Sequence, residues 1–233
     1  MKLSIIMPVY NEEKTIEKIV ERVQNVKIPN IDKELIMIND ASEDNSLEKL
    51  NNLSKKYKNV KVLSHEINKG KGAAIRAGLK YSTGDIVVIQ DGDLEYNPED
   101  FKRLIQPILD KKYKVVYGSR FLGRIKGYIN PVHDLGNKFL SLTTALLYFR
   151  NITDMETCYK MMHKDVVKSL NLKANRFDFE PEITAKIIKK GHKILEIPIE
   201  YNSRSFKEGK KITWKDGIKA MYYLIKYRFV DWD

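Results

Sequence analysis

Short apolar runs and amphipathic segments alternate through the first half of the chain. The apolar runs are rich in β-branched residues and predict buried strands. These runs are Leu3–Met7, Leu35–Ile38, Val60–Leu63, Ile86–Ile89 and Val115–Tyr117. The segments between them predict helices, over Thr15–Val23, Ser46–Tyr57, Ala73–Tyr81 and Pro98–Leu109. This alternation is typical of an α/β fold with a mostly parallel central sheet and helices on both faces.

The pattern changes after Gly118. Helices are predicted over Gly136–Phe149, Pro181–Lys190 and Thr213–Tyr227, with a strand over Ile194–Ile199. No internal repeat or low-complexity linker interrupts the sequence. A chain of 233 residues with this pattern is expected to form one domain.

The charge balance bears on the kind of partner. Lys and Arg outnumber Asp and Glu by 42 to 31, which gives a net charge of +11. Such an excess suits nucleic acid, an anionic membrane surface or a phosphorylated substrate. The sequence has no block of five or more basic residues and no zinc-finger or RNA-recognition signature. We therefore expect no nucleic-acid partner.

The apolar stretches and the cysteine content indicate the cellular compartment in which the protein is expected. Pro8, Asn11 and Glu12 interrupt the N-terminal apolar run too early for a signal peptide. The longest later stretch, Phe139–Phe149, contains Ser and Thr and is too short to span a bilayer. Cys158 is the only cysteine, so no internal disulfide can form. We expect a cytoplasmic protein, either soluble or peripheral on the cytoplasmic face of a membrane.

Polar segments follow four of the predicted strands, where open α/β sheets bind their ligands. They are Pro8–Glu13, Asn39–Ser46, Asn68–Arg76 and Asp91–Glu95. The first is explained on its own as a strand-to-helix turn. In the second, Asp40 suits equally a turn and a contact to a nucleobase N–H or a ribose hydroxyl.

The third and fourth segments indicate phosphate and metal chemistry. Asn68–Arg76 combines two glycines and two lysines with a helix start, which suits a diphosphate, although it matches neither a P-loop nor G-x-G-x-x-G. Asp91 and Asp93 stand at alternate positions after a buried strand, with Gly92 leaving room between them. Carboxylates in this arrangement can converge on one hard cation, Mg²⁺ or Mn²⁺.

Together these segments resemble family 2 glycosyltransferases, which have the Rossmann-like fold called GT-A. The resemblance covers nearly the whole chain. It includes Pro8–Glu12, the Asp40 turn, Asn68–Gly72 with Arg76 and Gly78, Gly84–Asp85, Asp91–Asp93, Gly118–Phe121, Asp154–Lys160, Phe179–Glu182, and Arg204 with Glu208–Lys211. The later motifs resemble the branch that glycosylates polyprenyl phosphates, typified by dolichyl-phosphate mannose and glucose synthases.

The resemblance implies a site for a nucleotide-sugar donor. The residues implied to bind the nucleotide are Pro8, Tyr10, Glu12, Asp40, Lys69, Gly72 and Asp91. Asp91, Asp93 and Glu95 are the implied ligands of Mg²⁺ or Mn²⁺. The mannose synthases have Gln at the third of these positions. Glu95 therefore disfavours GDP-mannose, and the resemblance favours a UDP-sugar.

The implied catalytic residues are Asp93, Arg120, Arg204 and Lys210, of which the three basic residues would meet phosphate groups. The acceptor decides whether a general base is needed. A sugar hydroxyl needs one, and the candidates are Asp154, Glu156 and Glu182. A phosphate monoester is already a dianion near neutral pH and needs only cations to position it.

The favoured function is inverting transfer of a hexose or N-acetylhexosamine to a polyprenyl or dolichyl phosphate. Residues 1–120 would bind the nucleotide sugar, and residues 121–212 would form the acceptor side. Residues 213–233 would form an amphipathic helix, whose basic and aromatic residues favour weak association with a membrane surface or a membrane-anchored partner.

Three alternatives remain: transfer to a glycan hydroxyl, a sugar nucleotidyltransferase, and an inactive nucleotide-sugar-binding subunit. Nucleotidyltransferases carry a Gly-rich basic loop after the first strand, where this chain has Tyr10, Asn11 and Glu12. The Asp91 and Asp93 pair and Arg120 argue against an inactive subunit.

Overall fold

The computed structural model describes residues 1–127, 131–203 and 214–230, apart from the side chains of 131–135 and 214–216. Its strands are β1 (Lys2–Val9), β2 (Asp32–Asn39), β3 (Val60–Ser64), β4 (Ile86–Ile89), β5 (Val115–Gly127), β6 (Lys160–His163) and β7 (Ile194–Ser203). Its α-helices are α1 (Ile16–Asn25), α2 (Ser46–Lys56), α3 (Lys71–Tyr81), α4 (Phe101–Leu109), α5 (Pro131–Tyr148), α6 (Lys164–Ser169), α7 (Phe179–Lys189) and α8 (Trp214–Phe229). A 3-10 turn, Pro98–Asp100, precedes α4.

The strands form one sheet in the order β3-β2-β1-β4-β6-β5-β7. β1 pairs in parallel with β2 and β4, and β2 pairs in parallel with β3. β6 is antiparallel to both β4 and β5, whereas β5 and β7 are parallel. The predicted mostly parallel sheet is therefore confirmed, with β6 as the antiparallel strand among the strands described.

Helical periodicity explains how the helices cover the sheet. In α1 the buried residues are Ile16, Ile19, Val20 and Val23. In α4 they are Phe101, Leu104, Ile105 and Ile108. Both sets follow the i, i+3, i+4, i+7 spacing, which places their apolar side chains on one face of the helix. These faces belong to the main hydrophobic core, together with the central strands.

The second half of the fold departs from the prediction mainly in its strands. β7 ends at Ser203 rather than Ile199, and helix α6 was not predicted. β5 continues to Gly127 rather than ending at Tyr117, because it pairs with β7 past an irregularity between Ser119 and Arg124. β6 was not predicted, although Met161 and Met162 are buried in the core. β6 has only four residues and begins with a lysine, so its pattern does not indicate a strand.

Three helices enclose a smaller hydrophobic cluster. Its buried members come from α5, the loop after it, α7 and α8. They are Leu140, Tyr148, Ile152, Met155, Ala185, Ala220, Leu224 and Tyr227. The Tyr148 hydroxyl donates a 2.8 Å hydrogen bond to the carbonyl oxygen of Leu224, which joins α5 to α8. Among the described residues, no helix combines the length and the apolar character needed to cross a bilayer.

Candidate active site

Three loops leave the carboxyl ends of β2, β1 and β4, which are adjacent in the sheet. They are residues 40–45 (the β2 loop), 10–15 (the β1 loop) and 90–97 (the β4 loop). Because the three strands are parallel, these loops emerge at the same edge. The predicted polar segments are therefore neighbours in space.

The β1 and β2 loops are joined by hydrogen bonds. The backbone N–H of Asn11 donates to Ser42 Oγ at 3.1 Å, and that of Glu12 donates to Ser46 Oγ at 2.8 Å. Asn11 adopts a positive φ of 51° to make this turn. These contacts fix the polypeptide directly after Tyr10, which lies half-buried at the end of β1.

The β1 and β4 loops are equally close. Thr15 Oγ1 lies 2.9 Å from a carboxylate oxygen of Glu12 and 3.0 Å from the carbonyl oxygen of Gly92, so it can donate to either. A Cβ atom at Gly92 would lie 3.5 Å from the carbonyl oxygen of Pro8. Pro8 and Glu12, both implied to bind the nucleotide, thus lie beside the β4 loop.

Asp40 holds the loop that leads into α3. Its Oδ1 accepts a hydrogen bond from the backbone N–H of Lys69 at 2.9 Å, and its Oδ2 accepts one from Gly70 at 2.7 Å. His65 Nδ1 lies 2.7 Å from Oδ1. Of the two interpretations of Asp40, the structure thus shows the contacts of a turn anchor, and the contact to a nucleoside stays a prediction.

The glycines that begin α3 admit another part of the backbone. Gly70 has φ +97°, and a Cβ atom there would lie 2.5 Å from the carbonyl oxygen of Asn175. A Cβ atom at Gly72 would lie 2.7 Å from that of Ala174. The N–H of Ala73 donates to Asn175 O at 2.9 Å. At Gly72 the structure shows a close approach to residues 174–176, and the contact of this glycine to a diphosphate stays a prediction.

Lys71 connects α3 to the β4 loop. Its Nζ lies 2.8 Å from Asp91 Oδ1 and 3.7 Å from Glu180 Oε1. Burial disfavours the charged ammonium, but these two carboxylates outweigh burial and hold the pKa of Lys71 well above its usual range. Lys69, the lysine named from the sequence, is exposed. The structure therefore identifies Lys71 as the lysine of this segment that contacts the predicted metal ligand Asp91.

The other two predicted metal ligands have protein contacts of their own. Asp93 is buried, and its Oδ1 accepts a 3.0 Å hydrogen bond from the N–H of Glu95. The Tyr201 hydroxyl donates to Glu95 Oε2 at 2.7 Å. Burial raises the pKa of Tyr201, so this hydroxyl keeps its proton. This hydrogen bond connects Glu95 to β7, which is an edge strand of the sheet.

The donor set suits a metal that completes its coordination with substrate. In the described part of the chain, no group of three or more His, Cys, Asp or Glu side chains is arranged to hold a metal ion. Mg²⁺ is usually bound by one or two carboxylates together with substrate phosphates and water. Asp91 and Asp93, with oxygen donors at one strand end, fit a site of that kind.

Arg120 is held by Asp154. Its Nε and Nη2 lie 2.7 Å from Asp154 Oδ2 and Oδ1, and its backbone N–H also donates to Oδ2 at 2.9 Å. The guanidinium lies 5.1 Å from the centre of the Tyr201 ring. Burial opposes the charge of Arg120, but Asp154 outweighs burial and raises its pKa. Arg120 is therefore a cation fixed beside Tyr201, the partner of Glu95.

Two of the three candidate general bases have structural roles. Asp154 is fully buried, and both its oxygens contact Arg120. Glu182 is also fully buried; it accepts 2.8 Å hydrogen bonds from the backbone N–H groups of Lys173 and Ala174 and pairs with Lys186 at 3.0 Å. Their proposed availability as bases is corrected, because their oxygens already accept hydrogen bonds from these groups.

Glu156 is different. Its Oε1 is buried and has no hydrogen-bond partner in the described parts of the chain. Burial, and next the nearby carboxylate of Glu180, raise its pKa to about 7. Of the three candidates, Glu156 thus remains chemically available.

Sequence reasoning assigned no role to a buried ion pair beneath the site. Lys160, the first residue of β6, is fully buried and pairs with Glu180 Oε2. Its Nζ also donates to the carbonyl oxygens of Met155 at 2.9 Å and Thr157 at 2.5 Å. The signal for this ion pair in the sequence was a lysine that directly precedes two apolar methionines. The neighbouring thiol of Cys158 is buried, which raises its pKa and makes it a poor nucleophile.

Two predicted catalytic residues, Arg204 and Lys210, lie outside the described residues. The structure brings together the others: Asp93, Arg120 and the nucleotide-site residues at the carboxyl edge of the sheet. Their binding roles stay predictions.

Known proteins with similar sequences are glycosyltransferases. The family described as Glycosyl transferase family 2 matches residues 4–170. Dolichol-phosphate mannosyltransferase of Pyrococcus furiosus is 30% identical over 241 residues, covering 100% of this chain. The chain spans 65% of the length of that relative. A Methanococcus voltae protein, UDP-N-acetylglucosamine--dolichyl-phosphate N-acetylglucosaminyltransferase, is 34% identical over 243 residues, covering 95% of this chain and 94% of its own length.

The fold also matches a solved structure. Glucosyl-3-phosphoglycerate synthase from Mycobacterium tuberculosis, in complex with Mn²⁺, uridine diphosphate and glucosyl-3-phosphoglycerate, superposes with a TM-score of 0.74. The match covers 99% of this chain and 81% of that chain at 18% identity. Another structure of the same enzyme contains Mg²⁺ and uridine diphosphate. At this identity the likeness concerns the fold alone, and it confirms the expected GT-A architecture.

Proposed function

The chain belongs to glycosyl transferase family 2 and is a glycosyltransferase, and from this premise we propose that it transfers a hexose or N-acetylhexosamine from a nucleotide-diphosphate sugar to a polyprenyl or dolichyl phosphate. The main structural support is that two of the three candidate general bases, Asp154 and Glu182, are engaged in structural contacts. Arg120 is a cation whose position is fixed by Asp154. Such a site suits an acceptor that is already anionic.

The donor would bind across the β1, β2 and β4 loops, with its diphosphate beside Lys71 and Asp91. We favour a UDP-sugar, because the Methanococcus voltae relative is named for UDP-N-acetylglucosamine. The name of the Pyrococcus furiosus relative, a mannosyltransferase, keeps GDP-mannose as the alternative donor.

A divalent cation, Mg²⁺ or Mn²⁺, would be held by Asp91 and Asp93, with Glu95 as a further candidate ligand. When bound, it would neutralise charge on the diphosphate leaving group. Lys71 adds a positive charge at the same place, since its raised pKa keeps it protonated. Asp93 is itself oriented by the N–H of Glu95.

The proposed reaction needs no proton transfer from the acceptor. One oxygen of the acceptor phosphate forms a bond to the anomeric carbon while the bond from that carbon to the diphosphate oxygen breaks. The electron pair leaves with the nucleoside diphosphate, and the configuration inverts. Near neutral pH the acceptor is a dianion, so cationic positioning replaces a general base. Arg120, fixed by Asp154, supplies one such cation, and Arg204 and Lys210 are proposed to supply others.

A lipid acceptor would reach the protein at a membrane surface. α5 and α8, together with Phe149 directly after α5, expose apolar side chains: Phe139, Leu142, Leu146, Phe149, Ile218, Tyr222, Ile225 and Phe229. Neither residues 136–153 nor residues 217–230 contain an Asp or Glu, whereas both ranges contain Lys and Arg. Apolar side chains flanked by basic ones favour an anionic bilayer surface. We propose that this α5–α8 surface associates weakly with the membrane or with a membrane-anchored partner.

The function is tested by product analysis. The protein is incubated with a panel of nucleotide sugars, Mn²⁺ or Mg²⁺, and short polyprenyl phosphates, and products are identified by mass spectrometry. A polyprenyl phosphate sugar together with free nucleoside diphosphate is the expected result. Release of pyrophosphate when a nucleoside triphosphate and a sugar 1-phosphate are supplied as substrates would indicate a nucleotidyltransferase instead. Absence of turnover with any donor and acceptor would indicate a binding subunit.

A further inference from the structure

Glu196 on β7 holds two consecutive residues of the loop between α5 and β6. Its Oε2 accepts a hydrogen bond from the N–H of Thr153 at 2.8 Å. Its Oε1 accepts hydrogen bonds from the Thr153 hydroxyl and from the N–H of Asp154, both at 3.0 Å. The main chain of the loop at Asp154 is therefore fixed by a side chain from β7.

Asp154 in turn determines the direction of Arg120. Its two oxygens accept hydrogen bonds from Nε and Nη2 of the guanidinium, and Oδ2 also accepts one from the backbone N–H of Arg120. Asp154 is fully buried, whereas 12% of the Arg120 side chain is exposed. An anion from solvent can therefore meet Arg120 but not Asp154, and the pair does not use Nη1 of the guanidinium.

Arg120 lies at an irregularity of the sheet. The pairing of β5 with β7 shifts its register between Ser119 and Arg124, so the regular ladder is interrupted where Arg120 stands. The N–H of Arg120 donates to the side chain of Asp154. Interruptions of this kind redirect side chains and are common beside active sites. Side-chain contacts must therefore provide the support that a regular strand pair would give.

A second set of contacts leads from Glu196 to the residue before Arg120. The Thr153 hydroxyl lies 2.7 Å from the hydroxyl of Ser119, and Ser119 Oγ accepts a 3.2 Å hydrogen bond from the N–H of Leu122. Because the Thr153 hydroxyl donates to Glu196, the Ser119 hydroxyl donates to Thr153. Glu196 thus supports Arg120 both through its ion-pair partner and through its neighbour in the chain.

We propose that Glu196 is a positioning residue, which fixes the guanidinium of Arg120 for the phosphate of the acceptor. A mobile arginine side chain loses conformational entropy when it binds a ligand, whereas a side chain that is already fixed loses little. The contacts of Glu196 with Asp154 and Thr153 order Arg120 before the acceptor arrives. This inference rests on the proposed function and adds a positioning residue to it.

Glu196→Gln tests the proposal because it keeps the size of the side chain while replacing one acceptor oxygen by an NH₂ group. That group would face a donor at either position, so at least one hydrogen bond is lost. Glu200→Gln is the matched control on the same strand. The Glu200 side chain is 50% exposed, and its ion pair is with Lys126 at 3.6 Å.

Kinetics distinguish positioning from general stability. In Glu196→Gln the KM for polyprenyl phosphate should rise about tenfold, as for the loss of one hydrogen bond, with the KM for the nucleotide sugar within about twofold of wild type. Glu200→Gln should change neither constant. A role in stability alone would alter both KM values together, or only the urea midpoint of unfolding, because it does not distinguish the acceptor from the donor.

A double-mutant cycle shows whether Glu196 acts through Arg120. Arg120→Gln removes the cation but keeps an N–H donor for the buried Asp154. Calorimetry with a short polyprenyl phosphate measures the affinity of wild type, of the two single variants and of the double variant. The roughly tenfold loss caused by Glu196→Gln should disappear in the Arg120→Gln background, because residues that act through one another are not additive.

The outcomes separate the two proposals. The positioning role is wrong if Glu196→Gln alters both KM values equally or neither, or if it weakens acceptor binding as much in the Arg120→Gln background. In each of these cases wild-type turnover keeps the glycosyltransferase assignment. If wild-type protein transfers no sugar to polyprenyl phosphate, the proposed function fails, and the positioning role fails with it.

Thr153→Val serves as the second variant if Glu196→Gln folds poorly. It keeps the shape of the side chain and removes the hydroxyl that connects Glu196 with Ser119. The KM for the acceptor should rise about threefold, as for a weaker hydrogen bond, while the KM for the donor is unchanged. An unchanged KM for the acceptor in this variant would overturn the proposal.

Discussion

Lys71 Nζ lies 2.8 Å from Asp91 Oδ1, so that the start of α3 and the end of β4 meet in an ion pair. The pair is partly accessible, with about 20% of each side chain exposed. It joins the two segments that the sequence associated with a diphosphate and a metal ion. The contact gives a specific test of which lysine serves the nucleotide site.

We expect Lys71→Gln to weaken binding of the nucleotide sugar by roughly 10- to 150-fold, the usual result of losing one charge-assisted hydrogen bond. Lys69→Gln is the matched control two residues away, and its exposed side chain should matter less than about threefold. Calorimetry of both variants measures the difference. An equal loss in both would mean that the lysines contribute only through general positive charge.

The metal role of Asp93 is tested with Asp93→Asn. The amide oxygen can still accept the hydrogen bond from the N–H of Glu95, so the loop should keep its structure. Transfer should fall by at least about 100-fold, because a divalent cation supplies several kcal/mol of charge stabilisation. Nucleoside diphosphate binding should lose its dependence on Mn²⁺. Unchanged Mn²⁺-dependent binding in a folded variant would show that Asp93 is not a ligand.

The raised pKa of Glu156 makes a stability prediction. Burial holds it near 7, above the ordinary value of 4.5, so the folded state keeps a proton that the unfolded state releases between these pH values. Wild-type stability should therefore fall, relative to Glu156→Gln, as the pH rises from 4.5 to 7. Above pH 7 the variant should be more stable by about 1–3 kcal/mol.

Urea denaturation of wild type and Glu156→Gln at pH 4 and pH 8 measures this difference. At pH 4 the two proteins should have similar free energies of unfolding, because the glutamate is then protonated in both states. A variant less stable than wild type at pH 8 would mean that Glu156 has a favourable partner in the folded protein.

The α5–α8 surface is expected to bind anionic vesicles weakly and in a salt-dependent manner, since attraction to a charged surface is screened by salt. Leu146→Glu and Ile225→Glu, one in each helix, should reduce sedimentation with vesicles. Tyr81→Glu is the control, because Tyr81 is also exposed but lies at the end of α3. Loss of binding in all three variants, or binding unaffected by salt, would contradict a specific surface.

The sequence was informative where a structure depends on local pattern. Ile86–Ile89 was predicted with its observed bounds, because four consecutive β-branched residues favour a buried strand. The convergence of the polar loops followed from the geometry of parallel strands. The length of β5 was missed, because its distal residues are largely exposed and are held by pairing with β7.

Contacts between distant residues explain the other differences. Gly72 resembles a ligand-binding glycine, and only the fold shows that Ala174 occupies the space beside it. Likewise, Lys160 begins a strand because Glu180, twenty residues later, neutralises its charge in the core. The structural use of Asp154 and Glu182 could not be read from composition or spacing either, since both resemble available acids until their partners are known.

The central claim is that the acceptor is a phosphate rather than a hydroxyl. The most direct measurement compares initial rates for polyprenyl phosphate and for the polyprenol of the same chain length, at saturating donor and metal. The proposed site holds Arg120 as a fixed cation and uses Asp154 and Glu182 in structural contacts, so it should glycosylate the phosphate and leave the alcohol unreacted. Transfer to the polyprenol at a comparable rate, abolished in Glu156→Gln, would contradict the account and establish base-assisted attack by a hydroxyl.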